Sequence, residues 1–429
     1  MSSTKMNNNL NKDVCIIGAG IAGLVTAKTF LEDGVRVFIY ERDSNLGGNW
    51  SPSRAYPGLR ANNSKYTYAF SDFPYPDDVD TFPYAEDIHK YLEAYADHFN
   101  IGSSIFCNTE VIDVSRSQDN PECLTVTYQA TENIDKRDFD FVVICNGVFH
   151  KPKIPEIEAK EQFKGRTLHS SEVTESTYNN GEKVIIIGGG KSAYDCAAWA
   201  AQQGVSPTLV FRRPQWMAPR YLPGVKIPGD FLVTSRFLTF FLKYYHSSKV
   251  KMLFHRLGKP LIWLWWKFTE TGWRKDLKIP PELDPKENLP SGMEKVGVGG
   301  DFFTVVNYGL AKVLRGSVRQ FSEKGIELDD GSRLDADLVI FATGWQQETP
   351  FLNDKISQEI SGKGYIRLYR HILPPTVPNL GFIGQASSFA CTLTFEVGVH
   401  WLSEHLHGTL KLPFGDVMNQ EIDRTHDWA

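Results

Sequence analysis

Two glycine-rich turns stand about 170 residues apart in this chain, and each leads to a side chain able to choose between nucleotides. The first runs Val14-Cys15-Ile16-Ile17-Gly18-Ala19-Gly20-Ile21-Ala22-Gly23, and the apolar stretch from Val35 to Tyr40 then ends in Glu41 and Arg42. The second runs Val184-Ile185-Ile186-Ile187-Gly188-Gly189-Gly190-Lys191-Ser192-Ala193, and the stretch from Thr208 to Phe211 ends in Arg212 and Arg213. Glycine lets a backbone approach a pyrophosphate, and the helix that follows aims its first N–H groups at the anion. Glu41, 23 residues past Gly18, suits the ribose hydroxyls of FAD or NAD. Arg212, 24 past Gly188, suits an added 2′-phosphate, which a carboxylate would repel. Arg213 stands beside it as an alternative reader of the phosphate or as a solvated neighbour. Ala193 replaces the third glycine, a change the fingerprint tolerates. The expected cofactors are therefore FAD on Gly18, Gly20, Gly23 and Glu41, and NADPH on Gly188, Gly190, Lys191, Ser192 and one of the two arginines.

These turns need a strand before them and a helix after them, so the fold expected is α/β with two Rossmann-like domains. The segments Asp138 to Gly147 and Asp335 to Gly344 resemble one another, each with acidic residues, an apolar strand and a closing glycine. They mark where the chain leaves the FAD domain and where it returns, with Lys151-Pro152-Lys153-Ile154-Pro155 as the exit linker because its prolines resist continued strand pairing. The NADPH domain is then an insertion. The boundaries expected are 1–168 for the first part of the FAD domain, 169–308 for the NADPH domain and 309–429 for the return. Val111 to Val114 with Thr125 to Gln129 suits a small β meander, and Ile326 to Leu334, centred on Asp-Asp-Gly, a hairpin.

The chain has 429 residues, 41% apolar and 13% aromatic, enough for substantial cores in two or three domains. A net charge of −5 argues against a general nucleic-acid binder, which needs a basic surface. The six cysteines (Cys15, Cys107, Cys123, Cys145, Cys196, Cys391) are scattered without a C-x-x-C pair. Cys15, Cys145 and Cys196 fall in apolar patterns and read as buried, which leaves no dithiol beside a flavin. Met1 to Lys12 is polar and reads as a frayed tail, so a cytoplasmic location is the expectation. Between about 228 and 290 lies an aromatic segment, expected to be helical, with Phe231, Phe237, Phe240, Phe241, Tyr244, Tyr245, Leu261 to Trp266 and Trp273. Lys243, Lys249, Lys251, His255, Arg256 and Lys259 interrupt it short of the ~20 apolar residues of a span. Helices over an active-site mouth or a homodimer face are preferred to a membrane anchor.

Several blocks in addition to the turns resemble the flavin-containing monooxygenase family, the class B flavoprotein oxygenases, from Val14 to about Pro413. Leu46-Gly47-Gly48-Asn49-Trp50 resembles the family's G-G-x-W segment beside the flavin. Ala61-Asn62-Asn63-Ser64-Lys65 and Ser71-Asp72-Phe73-Pro74 resemble its T-N-T-S-K and S-D-F-P run, and Phe341-Ala342-Thr343-Gly344-Trp345 its A-T-G-Y/W segment. The identifier F-x-G-x-x-x-H-x-x-x-Y/F is matched by Phe163, Gly165 and His169, but Val173 departs at its last position, where Baeyer-Villiger enzymes carry tryptophan.

The resemblance implies that NADPH reduces FAD and that oxygen adds to the reduced flavin as a 4a-hydroperoxide. NADP+ then shields it until a soft nitrogen or sulfur nucleophile of a small lipophilic substrate arrives. It implies that Asn62 is the catalytic flavin-side amide, against a reading as a turn asparagine, and that Gly48, Trp50, Val111, Thr343 and Gly344 adjoin the cofactors. His169 reads either as a general acid or as a hinge and packing residue. Gln385 reads either as pocket lining or as loop. No metal site is expected. Baeyer-Villiger oxidation of ketones and an NADPH-dependent reductase without oxygen transfer are the alternatives.

Overall fold

Alternate residues of an extended strand point to opposite faces of a sheet, and this period builds the cores of both halves of the molecule. The computed structural model describes residues 12–428 apart from 244, 246, 294, 295, 363 and 387. The expected tail up to Asn11 and the aromatic Tyr244 lie outside the described residues. In the strand Asp13–Ile17, Val14 and Ile16 pack with Leu24, Phe30 and Tyr95, whereas Cys15 and Ile17 pack with Val142, Ile144 and Phe382 on the other face. The strand Val184–Ile187 repeats the division: Val184 and Ile186 pack with Ala197 and Leu209, and Ile185 with Val210 and Phe341. Strands covered on both faces read as unbroken apolar runs, as these do.

Each of these strands is the middle of a five-stranded parallel sheet. The first sheet has the order Leu380–Phe382, Phe141–Ile144, Asp13–Ile17, Arg36–Tyr40, Ile105–Phe106. The second has the order Lys312–Arg315, Thr208–Phe211, Val184–Ile187, Leu338–Phe341, Arg166–His169. In both, the middle strand passes through its glycine turn into a helix, Ile21–Glu32 or Lys191–Gln202, and continues to the strand on one side. The strand on its other side arrives from later in the chain. The crevice at that switch point, beyond the carboxyl ends of the strands, is where such sheets hold nucleotides.

The strands of the second sheet span Arg166 to Phe341, beyond the bounds of 169 and 308 expected for the NADPH domain. Lys312–Arg315 pairs with Thr208–Phe211 and Leu338–Phe341 with Val184–Ile187, so the chain returns to the first unit only after Gly344. A doubly covered strand carries the same apolar run whichever parallel sheet it joins, so its composition does not assign it. The meander (Thr109–Arg116, Leu124–Ala130, Asn133–Phe139) and the hairpin (Gly325–Leu328, Arg333–Asp335) form where expected. The aromatic segment contains the helices Lys249–Leu257 and Lys259–Leu277, packed inward on Trp216, Leu238 and Leu289 through Trp266.

The linkers between the units run side by side, Lys151–Pro152 antiparallel to Trp345–Gln346. His169 fastens them. Ser171 N donates to its Nδ1 at 3.3 Å, which leaves the proton on Nε2, and Nε2 donates to Gly344 O at 3.1 Å. The ring, 0% exposed, meets Trp345 edge-on at 4.9 Å. This geometry is that of a hinge and packing residue. Burial pushes the imidazole below its ordinary 6.5. The folded state thus holds it neutral while the unfolded chain takes up a proton, so this contribution to stability is lost as pH falls below about 6.5. His169→Gln should reduce the loss of melting temperature between about pH 7 and 5. A slope identical to that of the parent would place the acid sensitivity in other groups.

Candidate active site

Both turns are tighter than any side chain allows. Gly18 has φ +105°, and a Cβ there would lie 2.8 Å from Cys145 O; one at Gly23 would lie 1.9 Å from Gly18 O. Gly20 faces Gly48, where a Cβ would stand 3.6 Å from the Gly48 Cα, so the G-G-x-W segment abuts the first turn. In the second turn a Cβ at Gly188 would lie 2.3 Å from Ala342 O, and one at Gly189 2.7 Å from Arg213 O. Gly20 and Gly190 cap their helices without a side-chain acceptor, which leaves the first N–H groups to an incoming anion.

Glu41 ends the strand Arg36–Tyr40 as expected and braces the turn it serves. It accepts from Ala19 N at 2.7 Å and Asp43 N at 3.0 Å. Burial raises its carboxyl pKa, and these two donors oppose the rise. A carboxylate accepts at about four lone-pair positions, so capacity for ribose hydroxyls remains. Lys191 is ion-paired with Asp195, which also accepts from Tyr56 OH at 2.9 Å. Tyr56 comes from the first unit and packs in the core of the second, so the charge of Lys191 is engaged in joining the units. Arg213 pairs with Glu287 at 3.4 Å, and the neighbouring Arg212 holds Arg315 through its carbonyl.

A single cavity of about 2350 Å³ is lined by Gly18, Gly20, Glu41, Gly48, Trp50, Asn62, Val111, Gly188, Gly190, Lys191, Ser192, Arg212, Arg213, Thr343 and Gly344. That volume exceeds the ~300–1,000 Å³ of a site for one small ligand and suits two dinucleotides with space to spare. Thr343 and Gly344 also join the linkers: the Thr343 hydroxyl donates to Lys153 O, and Gly344 O accepts from Lys153 N at 2.9 Å. Gln385 is turned away from the cavity, its Nε2 donating to Asn146 Oδ1 at 3.2 Å, so it supports a lining residue. Burial raises the thiols of Cys15, Cys145 and Cys196 well above their ordinary range, Cys145 to about 12, as suits inert packing groups.

Around Asn62 every neighbour is tied down. Asn63 Nδ2 donates to Phe389 O at 2.8 Å, and Lys65 Nζ donates to Pro76, Asp77 and Val79 carbonyls at 3.0, 2.8 and 2.7 Å. Ser64 donates through N (2.8 Å) and Oγ (2.7 Å) to Asp230 Oδ2, which also accepts from Thr67 Oγ1. Asn62 itself holds a buried Oδ1 with no hydrogen-bond partner among the described residues. A buried acceptor without a donor costs ~1–3 kcal/mol, so the loop presents a group made to be satisfied by something bound in the cavity. Together with cradles that any Cβ would fill, it fits two bound dinucleotides.

Asp230 escaped the sequence reading, as did the Tyr56–Asp195 contact. Its signal was present: it is the only carboxyl group between Pro228 and Thr269, in a run whose other charged residues are all basic. Its buried side chain pins the loop of Asn62 to the aromatic segment, whose Trp265, Trp266 and Trp273 line the same cavity.

Fold and cleft define an α/β oxidoreductase that brings two dinucleotides to one cavity. A family model described as flavin-binding monooxygenase-like matches residues 11–428, so the chain belongs to that family and is a flavin-dependent monooxygenase. It is 30% identical, over 94% of its own length and 84% of the relative's, to a probable flavin-containing monooxygenase 1 of Arabidopsis thaliana. Its fold is similar to that of S-allyl-L-cysteine S-oxygenase from Allium sativum, with TM-score 0.64 and 20% identity over 98% of this chain and 82% of that one. It is likewise similar to that of OTEMO solved with FAD and NADP, with TM-score 0.71 and 19% identity over 92% and 84%.

Asp230→Ala strands the two buried donors of Ser64 and the half-buried Thr67 hydroxyl and should release the Asn62 loop while FAD stays bound. The fraction of NADPH electrons lost to hydrogen peroxide should rise several-fold, with Asp230→Asn, which keeps one acceptor oxygen, in between. A fully coupled Asp230→Ala enzyme would remove Asp230 from the positioning of Asn62.

Proposed function

We propose that the protein uses FAD and NADPH to place one oxygen atom of O2 on a nitrogen or sulfur of a small lipophilic substrate. The observation that carries this reading is the unsatisfied Asn62 Oδ1 in a cavity onto which both glycine turns open. When bound, NADPH supplies two electrons and the flavin supplies oxygen activation. The residues do the rest. The helix heads after Gly18–Gly23 and Gly188–Ala193 hold the two pyrophosphates, Glu41 the ribose of FAD, and Arg212 the 2′-phosphate. Arg212 is preferred to Arg213 because Arg213 already faces Glu287. Gly48, Trp50, Val111, Thr343 and Gly344 would wall the cofactors, and Asn62 would offer its amide to them. Trp265, Trp266 and Trp273 exclude water, which otherwise diverts activated oxygen to peroxide. A nitrogen or sulfur acceptor is favoured because Val173, where Baeyer-Villiger enzymes carry tryptophan, is buried in the core.

Oxygen uptake coupled to NADPH oxidation, tested with a tertiary amine, a thioether and a ketone, should show turnover with one or both of the first two. Turnover with the ketone alone would make it a Baeyer-Villiger enzyme, and electron delivery to acceptors without any oxygenated product would make it a reductase. Asn62→Ala should keep FAD, oxidise NADPH and release peroxide in place of product. Arg212→Ala should raise KM for NADPH about tenfold or more and leave that for NADH nearly unchanged, because a charge-assisted phosphate contact is lost. Equal losses for both cofactors would give the phosphate to another residue.

A further inference from the structure

Asp230 carries more than the anchoring of the Asn62 loop requires. Its three donors, Ser64 N, Ser64 Oγ and Thr67 Oγ1, all converge on Oδ2. The residue is 4% exposed and lines the cavity, and its Oδ1 is buried with no hydrogen-bond partner among the described residues. A buried carboxylate oxygen without a donor is costly unless something bound supplies one. The division of labour between the two oxygens has a chemical consequence. A proton taken up at Oδ1 leaves Oδ2 as a carbonyl oxygen that still accepts from Ser64 and Thr67, so the side chain can gain and lose a proton without releasing the loop.

Other groups on the lining are unsuited to this exchange. Glu41 has both oxygens engaged, by Ala19 N and Asp43 N, and Glu110, Glu156 and Glu287 are exposed. His150 stands beside Arg42 and Arg54, whose charges repel a cation. The ionisable groups around Asp230 are engaged elsewhere, exposed or uncharged. Lys65 Nζ is held by the carbonyls of Pro76, Asp77 and Val79, and Arg220 pairs with Asp301 at 3.2 Å. Tyr68 accepts from Trp50 Nε1 at 3.0 Å, and burial pushes its hydroxyl and the Cys391 thiol up, which keeps both neutral. Tyr66 meets Phe231 edge-on, and Tyr221 meets Phe82 in the same way. Lys226 and Arg236, the flanking charges on its own segment, are exposed.

We infer that Asp230 Oδ1 is the base that frees an amine substrate for oxygenation. This rests on the function proposed above and names its nitrogen substrates as basic alkylamines. Near neutral pH such an amine, like a lysine side chain, is an ammonium ion whose nitrogen has no lone pair to share. A cavity that excludes water must itself take the proton. The N–H bond breaks, its electron pair stays on nitrogen, and the proton bonds to Oδ1, so that ammonium and carboxylate become free amine and carboxylic acid. The transfer cancels both charges in a medium that disfavours them. The nitrogen then receives the oxygen atom that the flavin-dependent reaction supplies, and the proton returns to water when the product leaves. A thioether needs no such step.

N,N-dimethylbenzylamine and benzyl methyl sulfide, similar in shape, test this with the FAD-loaded enzyme, because only the amine ionises. In Asp230→Asn the amide oxygen can keep Ser64 and Thr67 as donors, while an NH2 replaces the free oxygen. Its kcat/KM for the amine at about pH 7 should fall at least about tenfold further than that for the sulfide. Between about pH 7 and 8 the amine value should recover about tenfold as free amine accumulates, a rise that the parent lacks. Ser64→Ala, which loosens the anchor and keeps the base, should release peroxide with both substrates and leave the ratio of their kcat/KM values unchanged. Binding reads the same site without turnover. Benzyltrimethylammonium should bind Asp230→Asn about tenfold more weakly than the parent, and its neutral isostere neopentylbenzene equally to both. Equal losses for amine and sulfide at every pH, or a cation affinity indifferent to Asp230→Asn, overturn the assignment and leave Asp230 as the anchor of the loop. Turnover of neither substrate by the parent would instead overturn the nitrogen-or-sulfur reading on which it rests.

Discussion

Each glycine turn is pressed against the end of the strand that leads out of its own unit, and the rest of the site follows from this contact. Gly18 has no room for a Cβ because Cys145 O is there, and Cys145 opens the path through Asn146 and Gly147 to the exit linker. Gly188 has none because Ala342 O is there, and Ala342 opens the path through Thr343 and Gly344 to the return linker. The residues that receive the two anions and the residues that join the two units are thus packed together. Pairing of Lys151–Pro152 with Trp345–Gln346, tightened by His169 on Gly344, then turns the helix heads toward a common cavity.

The Asn62 loop shows how such a site separates rigidity from reactivity. Its neighbours spend their hydrogen bonds on protein partners drawn from three directions: Phe389 O, the carbonyls of 76–79, and the carboxyl of Asp230. Asn62, which lines the cavity, keeps a buried acceptor open, as does Asp230 through its Oδ1. An amide held in this way needs little reorganisation when its partner arrives, the condition under which a polar group in a dry site acts most strongly. Because Asp230 belongs to the aromatic segment, the wall that excludes water and the loop that presents the amide are one mechanical unit.

The aromatic segment is therefore two surfaces made by one pair of helices. The tryptophans of its inner surface enclose the reaction space, and its outer surface is apolar and cationic where the remainder of the chain is acidic on balance.

Both nucleotide turns, with Glu41 and Arg212 at their offsets, were legible because glycine, strand, helix and charge lie within a few tens of residues and obey local rules. The meander, the hairpin and the buried cysteines were legible for the same reason. The assignment of Leu338–Phe341 and Lys312–Arg315 to the second sheet was not, since buried parallel strands look alike whichever sheet takes them. Nor was the direction of Gln385, which turns to Asn146, or the union of Asp230 with Ser64 and Thr67 across more than 160 residues of chain. Local chemistry is written in short-range order and can be read one segment at a time. Which carboxyl meets which hydroxyl, and which face of a helix stays bare, depends on packing that exists only when distant segments are brought together.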